Sequence, residues 1–461
     1  MEEKGYCIML KLIRKQKHIK TITWEGIVMK KRIMAILLSV AMVATMVTGC
    51  GSKEASTGGV QEITWMFWDD LNATEDLISI GYKEILDRFN AEYEGKYHVT
   101  AITTNLEEYD AKLNALIAAG DCPDVYICNP GPNMKTYVEA GAAADLTDIL
   151  KNDAEWYGSF TEGIFERLTY DGKIMGIPTN FAAALTFYNT EIFEEVGVEV
   201  PTTYDELLDV CQKIQDAGYA PISCSAGTPW CLSMVAGYLC DRSGGPDNLA
   251  NANAGTGNMW MDPSFIAAGE KLAELSQYFQ PTAAGDTNDV ATAAFYNGEA
   301  AMLIQGSWVI GQINGANPDF ESKCGVFAFP AIEGGADPNR MIVKTDNLLM
   351  SSTTDKQEAC IALMKMFTDE TAQKYTAEVG GKIPVTNVEY DLSKAPAQLS
   401  YVSDILATST GTFGFYNESL TSVEAGDCFD NAMVELFLGG CTSEEAFTTV
   451  QTWYEENVYN K

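Results

Sequence analysis

Apolar positions along residues 60–130 fall at two periods that take turns. "EITWMFWDD" (62–70) reads as a short strand ending in aromatics and two acids, with Trp65 and Phe67 two apart on a core-facing side. "ATEDLISIGYKEILDRFNAEY" (73–93) has apolar residues near i, i+3, i+4 and i+7, the spacing of an amphipathic helix. "YHVTAITT" (97–104) is a second strand, and "LEEYDAKLNALIAAGDC" (106–122) a second helix stopped by Gly120. "PDVYICN" (123–129) is almost wholly apolar, as expected for a strand buried on both faces. This alternation predicts an α/β layer with parallel strands. Farther on, Asp171-Gly172 predicts a hairpin turn, with strands around "IMGIP" and "AALTFYN". Thr202 or Thr203 caps a following helix, with Glu206 placed for a capping box. From about 221 to 330 the pattern reads as mostly helical, before strands at "KCGVFAFP" and "MIVKTDNLLMSS" and an amphipathic helix at "DKQEACIALMKMFTDETAQKYTAE". The end of the chain reads as helical, broken at "TGTFGFYNESL".

One apolar run breaks both periods. It extends from about Ile33 to Val47, follows Lys30-Lys31-Arg32, and ends in Val47-Thr48-Gly49-Cys50. Basic residues, an apolar stretch and small residues before a cysteine resemble a bacterial lipoprotein signal, in which Cys50 becomes the lipidated first residue. A plain signal peptide or an uncleaved anchor is the alternative reading. Residues 1–28 fit no part of such a signal, so either the natural start is Met29 or the n-region is extended. "GSKEASTGG" (51–59) reads as a flexible tether.

Composition narrows the function. The 461 residues carry 64 Asp and Glu against 30 Lys and Arg, a net charge of −34, and removal of the basic leader makes the balance more negative. That excess argues against nucleic acid and against electrostatic docking on anionic lipid. Apolar residues at 46% suffice for a packed core. Ten of the twelve cysteines lie beyond Cys50, none in a C-x-x-C, which disfavours a zinc ribbon; disulfides and free thiols both remain open. Beyond the leader the one histidine is His98, in a strand pattern, so a multi-histidine metal site is excluded and a histidine-based triad is disfavoured.

"NALIAAGDCPDVYI", "YDGKIMGIPTNFAAALTFYNTEIFEEVGVEVPTTYDELL", "AAFYNGEAAMLIQGSW", "VKTDNLLMSSTTDKQEACIALMKMF" and "GGKIPVTN" occur in that order. Together, over residues 60–461, they resemble family 1 of the bacterial extracellular solute-binding proteins, the maltose- and oligosaccharide-binding components of ABC importers. The resemblance implies an α/β, two-lobed periplasmic-binding-protein-like fold of type II with ligand held in the interlobe cleft. The lobes would comprise residues 60–181 with 330–374, and 182–329 with 375–461. The chain would cross near Phe181–Ala184, near Phe329-Pro330 and after about Lys374. It also implies a lipid-anchored, extracytoplasmic monomer that delivers a neutral carbohydrate to a permease, without cofactor or metal.

A sugar is held by an aromatic ring on its apolar face and by carboxylates and amides on its hydroxyls. By resemblance, the candidates are Trp68, Asp69 and Asp70 after the first strand, with Asp69 first among them. Asn129 follows the third strand; many relatives carry an aromatic at the neighbouring Cys128. Trp230 and Trp308 fall at stacking positions, Asp346 and Asn347 in a loop after the returning strand, and Phe415 and Tyr416 at a late aromatic of the second lobe. Trp156, Trp260 and Trp453 read as packing. The competing class is a glycoside hydrolase, which can work with two carboxylates and no histidine. Asp69 and Asp70, if on a strand, face opposite sides and cannot flank one bond.

Overall fold

A computed structural model describes residues 59–460; the basic leader, the apolar run and Cys50 lie outside the described residues. Strand β1 (Gln61–Phe67) lies between β2 (Tyr97–Thr103) and β3 (Val125–Cys128), parallel to both. The returning helices are α1 (Leu77–Glu92) and α2 (Leu106–Ala119). The Asp76 carboxylate caps α1 by accepting from the Ile78 and Ser79 amides. Gly120 ends α2 at φ 81°, where a side chain would be strained. On the edge strand β2, His98 is exposed and its Nδ1 lies 2.7 Å from Glu62 Oε2.

The hairpin of β4 (Thr169–Tyr170) and β5 (Lys173–Ile174) turns at Asp171-Gly172, both at positive φ as a two-residue turn requires. The next strand differs from expectation. Only the end of "IMGIP", Ile177-Pro178, joins "AALTFYN" in one 13-residue strand, β6 (Ile177–Asn189), while its Ile174 closes β5. After α3 (Tyr204–Asp216), capped by the reciprocal Thr203–Glu206 box, comes β7 (Ala220–Ser223). Then follow α4 (Pro229–Gly244), β8 (Ala300–Gly306), α5 (Val309–Ala316) and β9 (Cys324–Phe327). The stretch read as mostly helical therefore holds two more strands; a short, fully buried apolar run carries no period that separates strand from helix. Next are β10 (Arg340–Met350), α6 (Gln357–Phe367), α7 (Glu370–Glu378), β11 (Gly411–Phe413) and α8 (Val423–Phe437).

Apart from the two-stranded β4-β5 sheet, the strands named above form one sheet in the order β2-β1-β3-β10-β6-β8-β7, with β11 on β10 and β9 on β6. Pairing is parallel among β1, β2 and β3 and between β7 and β8, but β6 and β10 join antiparallel. Two separate hydrophobic cores flank this sheet, and β6 and β10 serve both. Ile177 and Leu348–Met350 pack in the smaller core; Ala183–Leu185 and Met341–Val343 pack in the larger. Phe329, beside the expected second crossing, lies in the larger core. Val385 still packs in the smaller core. The ten described cysteines are free thiols, most of them buried.

Candidate functional site

A cleft of about 940 Å³ opens where the ends of strands from both cores meet. Trp68, Asp69 and Asp70 line it just past β1, and Asn129 just past β3. Trp230, Trp308 and Phe415 line it from the larger core's side, and Asp346 lines it from within β10. Asn347 and Tyr416 do not line it.

The two exclusions have physical causes. Asp346 and Asn347 stand inside β10 rather than in a loop, and the register with β6 shifts between them. Asp346 turns to the cleft. Asn347 is 0% exposed and donates from Nδ2 to the carbonyls of Cys128 and Thr345, so it fastens β10 to β3. Tyr416 is 1% exposed and packs on Phe429 at 5.6 Å between centroids. It is core, while its neighbour Phe415 faces the cleft.

Asp69 and Asp70 also differ from expectation. They follow the strand in a bend, so strand alternation does not separate them, and both reach the cleft. Asp70 Oδ1 accepts from the Asn72 amide at 2.9 Å. Asp69 is open to the cleft yet walled by protein. Burial, then the nearby Asp76 carboxylate, raise its pKa to about 6.

Three aromatics form one wall. Trp230 and Trp308 centroids lie 5.9 Å apart, Trp308 and Phe415 5.9 Å, and Trp230 and Phe415 6.4 Å. Trp230 enters at the first turn of α4, after Thr228-Pro229. Trp308 folds back over Gly306, where a Cβ would lie 2.1 Å from its ring; only glycine at the end of β8 permits that pose. Opposite, the Trp68 ring stands edge-on to Tyr109 at 5.3 Å.

The floor is ionic. Asp346 Oδ2 accepts from Lys382 Nζ at 3.1 Å and Asn180 Nδ2 at 2.9 Å, while Lys344 Nζ lies 3.5 Å from Oδ1. Burial alone would raise the Asp346 pKa. Lys382, Lys344 and Asn180 outweigh it and hold the carboxyl well below the usual range. Lys382 is buried, which disfavours its charge, yet Asp346 keeps its pKa raised. Lys344 also donates to Asn129 Oδ1 at 2.7 Å and stands 5.7 Å from the Trp68 centroid and 5.4 Å from that of Trp308.

Sequence reasoning missed Lys344, Lys382, Glu418, Asp427 and Asp430, all of which line the cleft. A signal existed for two pairs. Lys344 and Asp346 are two apart on a strand and share a face. Asp427 and Asp430 are three apart on α8 and are neighbours on its surface. Nothing comparable marked Lys382 or Glu418.

The sequence matches the family described as bacterial extracellular solute-binding protein over residues 76–374, more than half of the chain. It is 26% identical over 299 residues to an uncharacterised ABC transporter extracellular-binding protein of Pyrococcus horikoshii, covering 61% of this chain and 65% of that one. It is 23% identical over 374 residues to the multiple sugar-binding protein of Streptococcus mutans, covering 78% and 84%. Among solved structures it is similar to one described under xylan utilization by the thermophilic bacterium Caldanaerobius polysaccharolyticus, at TM-score 0.79 and 26% identity over 85% of this chain and 99% of that one. A maltose-bound protein of T. maritima gives TM-score 0.73 at 21% identity over 86% and 100%. By fold the protein matches the periplasmic-binding-protein type II structures, and by sequence it belongs to the bacterial extracellular solute-binding proteins, which are receptors rather than enzymes.

Proposed function

We propose that this protein is the carbohydrate receptor of an ABC importer, that Cys50 anchors it by lipid to the outer face of the membrane, and that its two cores are lobes closing on an oligosaccharide. The observation that carries the carbohydrate reading is the wall of Trp230, Trp308 and Phe415 facing carboxylates and amides across one cleft. Rings cover the apolar faces of sugars and the polar groups take their hydroxyls. A volume of about 940 Å³ lies at the upper end for small-molecule sites and suits more than one sugar ring. The relative named for multiple sugar binding and the structure described under xylan utilization support the same class. Another relative is named for sn-glycerol-3-phosphate binding. An acidic cleft whose two lysines both engage Asp346 disfavours such an anion.

Calorimetry of the chain from residue 51 onward against a panel of oligosaccharides tests this reading. At least one should bind with micromolar or tighter affinity. Trp308→Ala should then weaken binding by about 2 kcal/mol or more, as for a buried aromatic anchor. A panel without a single binder overturns the carbohydrate reading, and full affinity in the variant removes Trp308 from the site. For the anchor, Cys50→Ala should move the protein from the membrane fraction to the medium.

A further inference from the structure

We propose that Lys344 and Asn129 form a pair of donors that reads two neighbouring oxygens of a sugar ring lying between Trp68 and Trp308, with Lys344 the specificity-determining member. This rests on the carbohydrate reading of the same cleft and says which of its groups choose among sugars.

The first ground is hydrogen-bonding capacity. An ammonium has three N–H groups and no lone pair to accept with. Lys344 Nζ donates to Asn129 Oδ1 at 2.7 Å and lies 3.5 Å from Asp346 Oδ1. Those two acceptors engage two of its hydrogens at most, and Lys344 lines the cleft, so at least one N–H remains for a ligand. The same contact decides how the Asn129 amide stands. Because the ammonium can only donate, Asn129 turns its oxygen to Lys344 and its Nδ2 away from it. That Nδ2 has no partner among the described residues, and Asn129 also lines the cleft. One side chain thus supplies a donor and aims a second beside it.

Location is the second ground. Lys344 stands on β10, a strand that serves both cores. Its ammonium is 5.7 Å from the centroid of Trp68, which packs on the smaller core, and 5.4 Å from that of Trp308, which packs on the larger. A sugar stacked on either indole brings its edge oxygens to this donor pair. Elsewhere the cleft offers mainly acceptors, among them the carboxylates of Asp69, Asp70, Asp289 and Asp427. Its other lysine, Lys382, has a side chain only 7% exposed and donates to Asp346 at 3.1 Å. Asp346 also offsets the charge of Lys344, so the pair reads oxygen lone pairs rather than a net negative charge.

The test is calorimetry with maltotriose, xylotriose, cellotriose and raffinose, then with the monodeoxy derivatives of each sugar that binds. In the parent, loss of either of two adjacent hydroxyls should weaken binding about tenfold or more, because a donor in the cleft is left unpaired. Lys344→Met keeps the length of the side chain and leaves Asp346 its contacts with Lys382 at 3.1 Å and Asn180 at 2.9 Å. It should erase one penalty and reduce the other, since one donor is gone and the Asn129 amide is free to turn. Asn129→Ala, at a partly exposed position, should erase one penalty and keep the other. A Lys344 that serves only the fold would lower every affinity alike in Lys344→Met and leave both penalties in place, and that result overturns the proposal. Should Lys344→Met fail to fold, Asn129→Ala decides, and two intact penalties there overturn the pair. Sugars that bind with no two adjacent hydroxyls penalised overturn this inference and leave the carbohydrate reading standing. If no saccharide binds the parent, the carbohydrate reading fails and this inference falls with it.

Discussion

Two carboxylates in the cleft illustrate opposite uses of burial. Asp346 is held ionised by Lys382, Lys344 and Asn180 against the cost of desolvation, and its pKa lies below the unfolded value. Its ionisation therefore contributes stability above the ordinary carboxylate pKa, and the contribution is lost as pH falls. Asp346→Asn leaves the buried Lys382 ammonium without a counter-charge and should cost about 3–5 kcal/mol at pH 7 in urea unfolding. Acidifying toward pH 3 should narrow that gap. Asp430 has the reverse sign. Its folded pKa, about 7, lies above the unfolded value, so its contribution is present in acid and lost as pH rises through about 7. Asp430→Asn should be more stable than the parent at pH 8 by about 1 kcal/mol or more, and no more stable near pH 4. A variant less stable at pH 8 would place a cation beside Asp430 in the free protein. Of the aromatic candidates, Trp68, Trp230, Trp308 and Phe415 line the cleft and Tyr416 does not. The polar ones were legible only in part. Chain neighbours such as Asp346 and Asn347, or Phe415 and Tyr416, look alike in sequence while their backbones aim one to the cleft and the other to the core.

At the level of elements, periodicity revealed the first three strands and the helices between them, since one face of each helix is apolar and the strands are short and bounded by turns. It did not reveal that β6 and β10 are long strands shared by two cores, because continuity of pairing depends on partners far along the chain. Nor did it reveal β7 and β8 inside a helical stretch. Helix α5 shows a further contact no local pattern encodes. It belongs to the larger core through Val309, Ile310 and Ile313, yet its glycines meet the smaller one. A Cβ on Gly315 would lie 1.9 Å from the Glu75 carbonyl oxygen, and one on Gly311 would lie 2.8 Å from that of Gly380. Ile78, one residue past the Leu77 that also faces Gly315, packs in the smaller core. The glycine face of α5 thus lets the two sides of the cleft touch. Gly315→Val should hold them apart and weaken binding of the oligosaccharide by about tenfold, because the ligand's favoured state becomes harder to reach. Urea unfolding should change less than binding does. Equal losses in both would mean that Gly315 serves packing alone.

The molecule as a whole joins two cores by β6, β10 and the chain beyond Lys382, and places carboxylates on both sides of the gap. Segments drawn from distant parts of the chain build each side, which is why the ordered set of motifs, and no single one, made the architecture legible. Such a body has a soft coordinate, the opening of the cleft, since the strands that cross are few and each core is closed on itself. Ligand can move that coordinate only through a difference in affinity between open and closed forms. With a net charge of −34 and acids lining the cleft, repulsion that salt screens over about 10 Å at 0.1 M would favour the open form of the proposed lobes. Small-angle scattering of the free protein should therefore give a radius of gyration that falls as sodium chloride is raised from low to moderate concentration. Saturating oligosaccharide should lower it further at every salt concentration. In Trp308→Ala the salt response should persist while the ligand response is lost, as the proposed division between acids that repel and rings that bind requires. A radius that is constant across salt, in the parent as in the variant, would show that the cleft acids do not hold the lobes apart. Closure would then be governed by the crossing strands and the α5 contact alone.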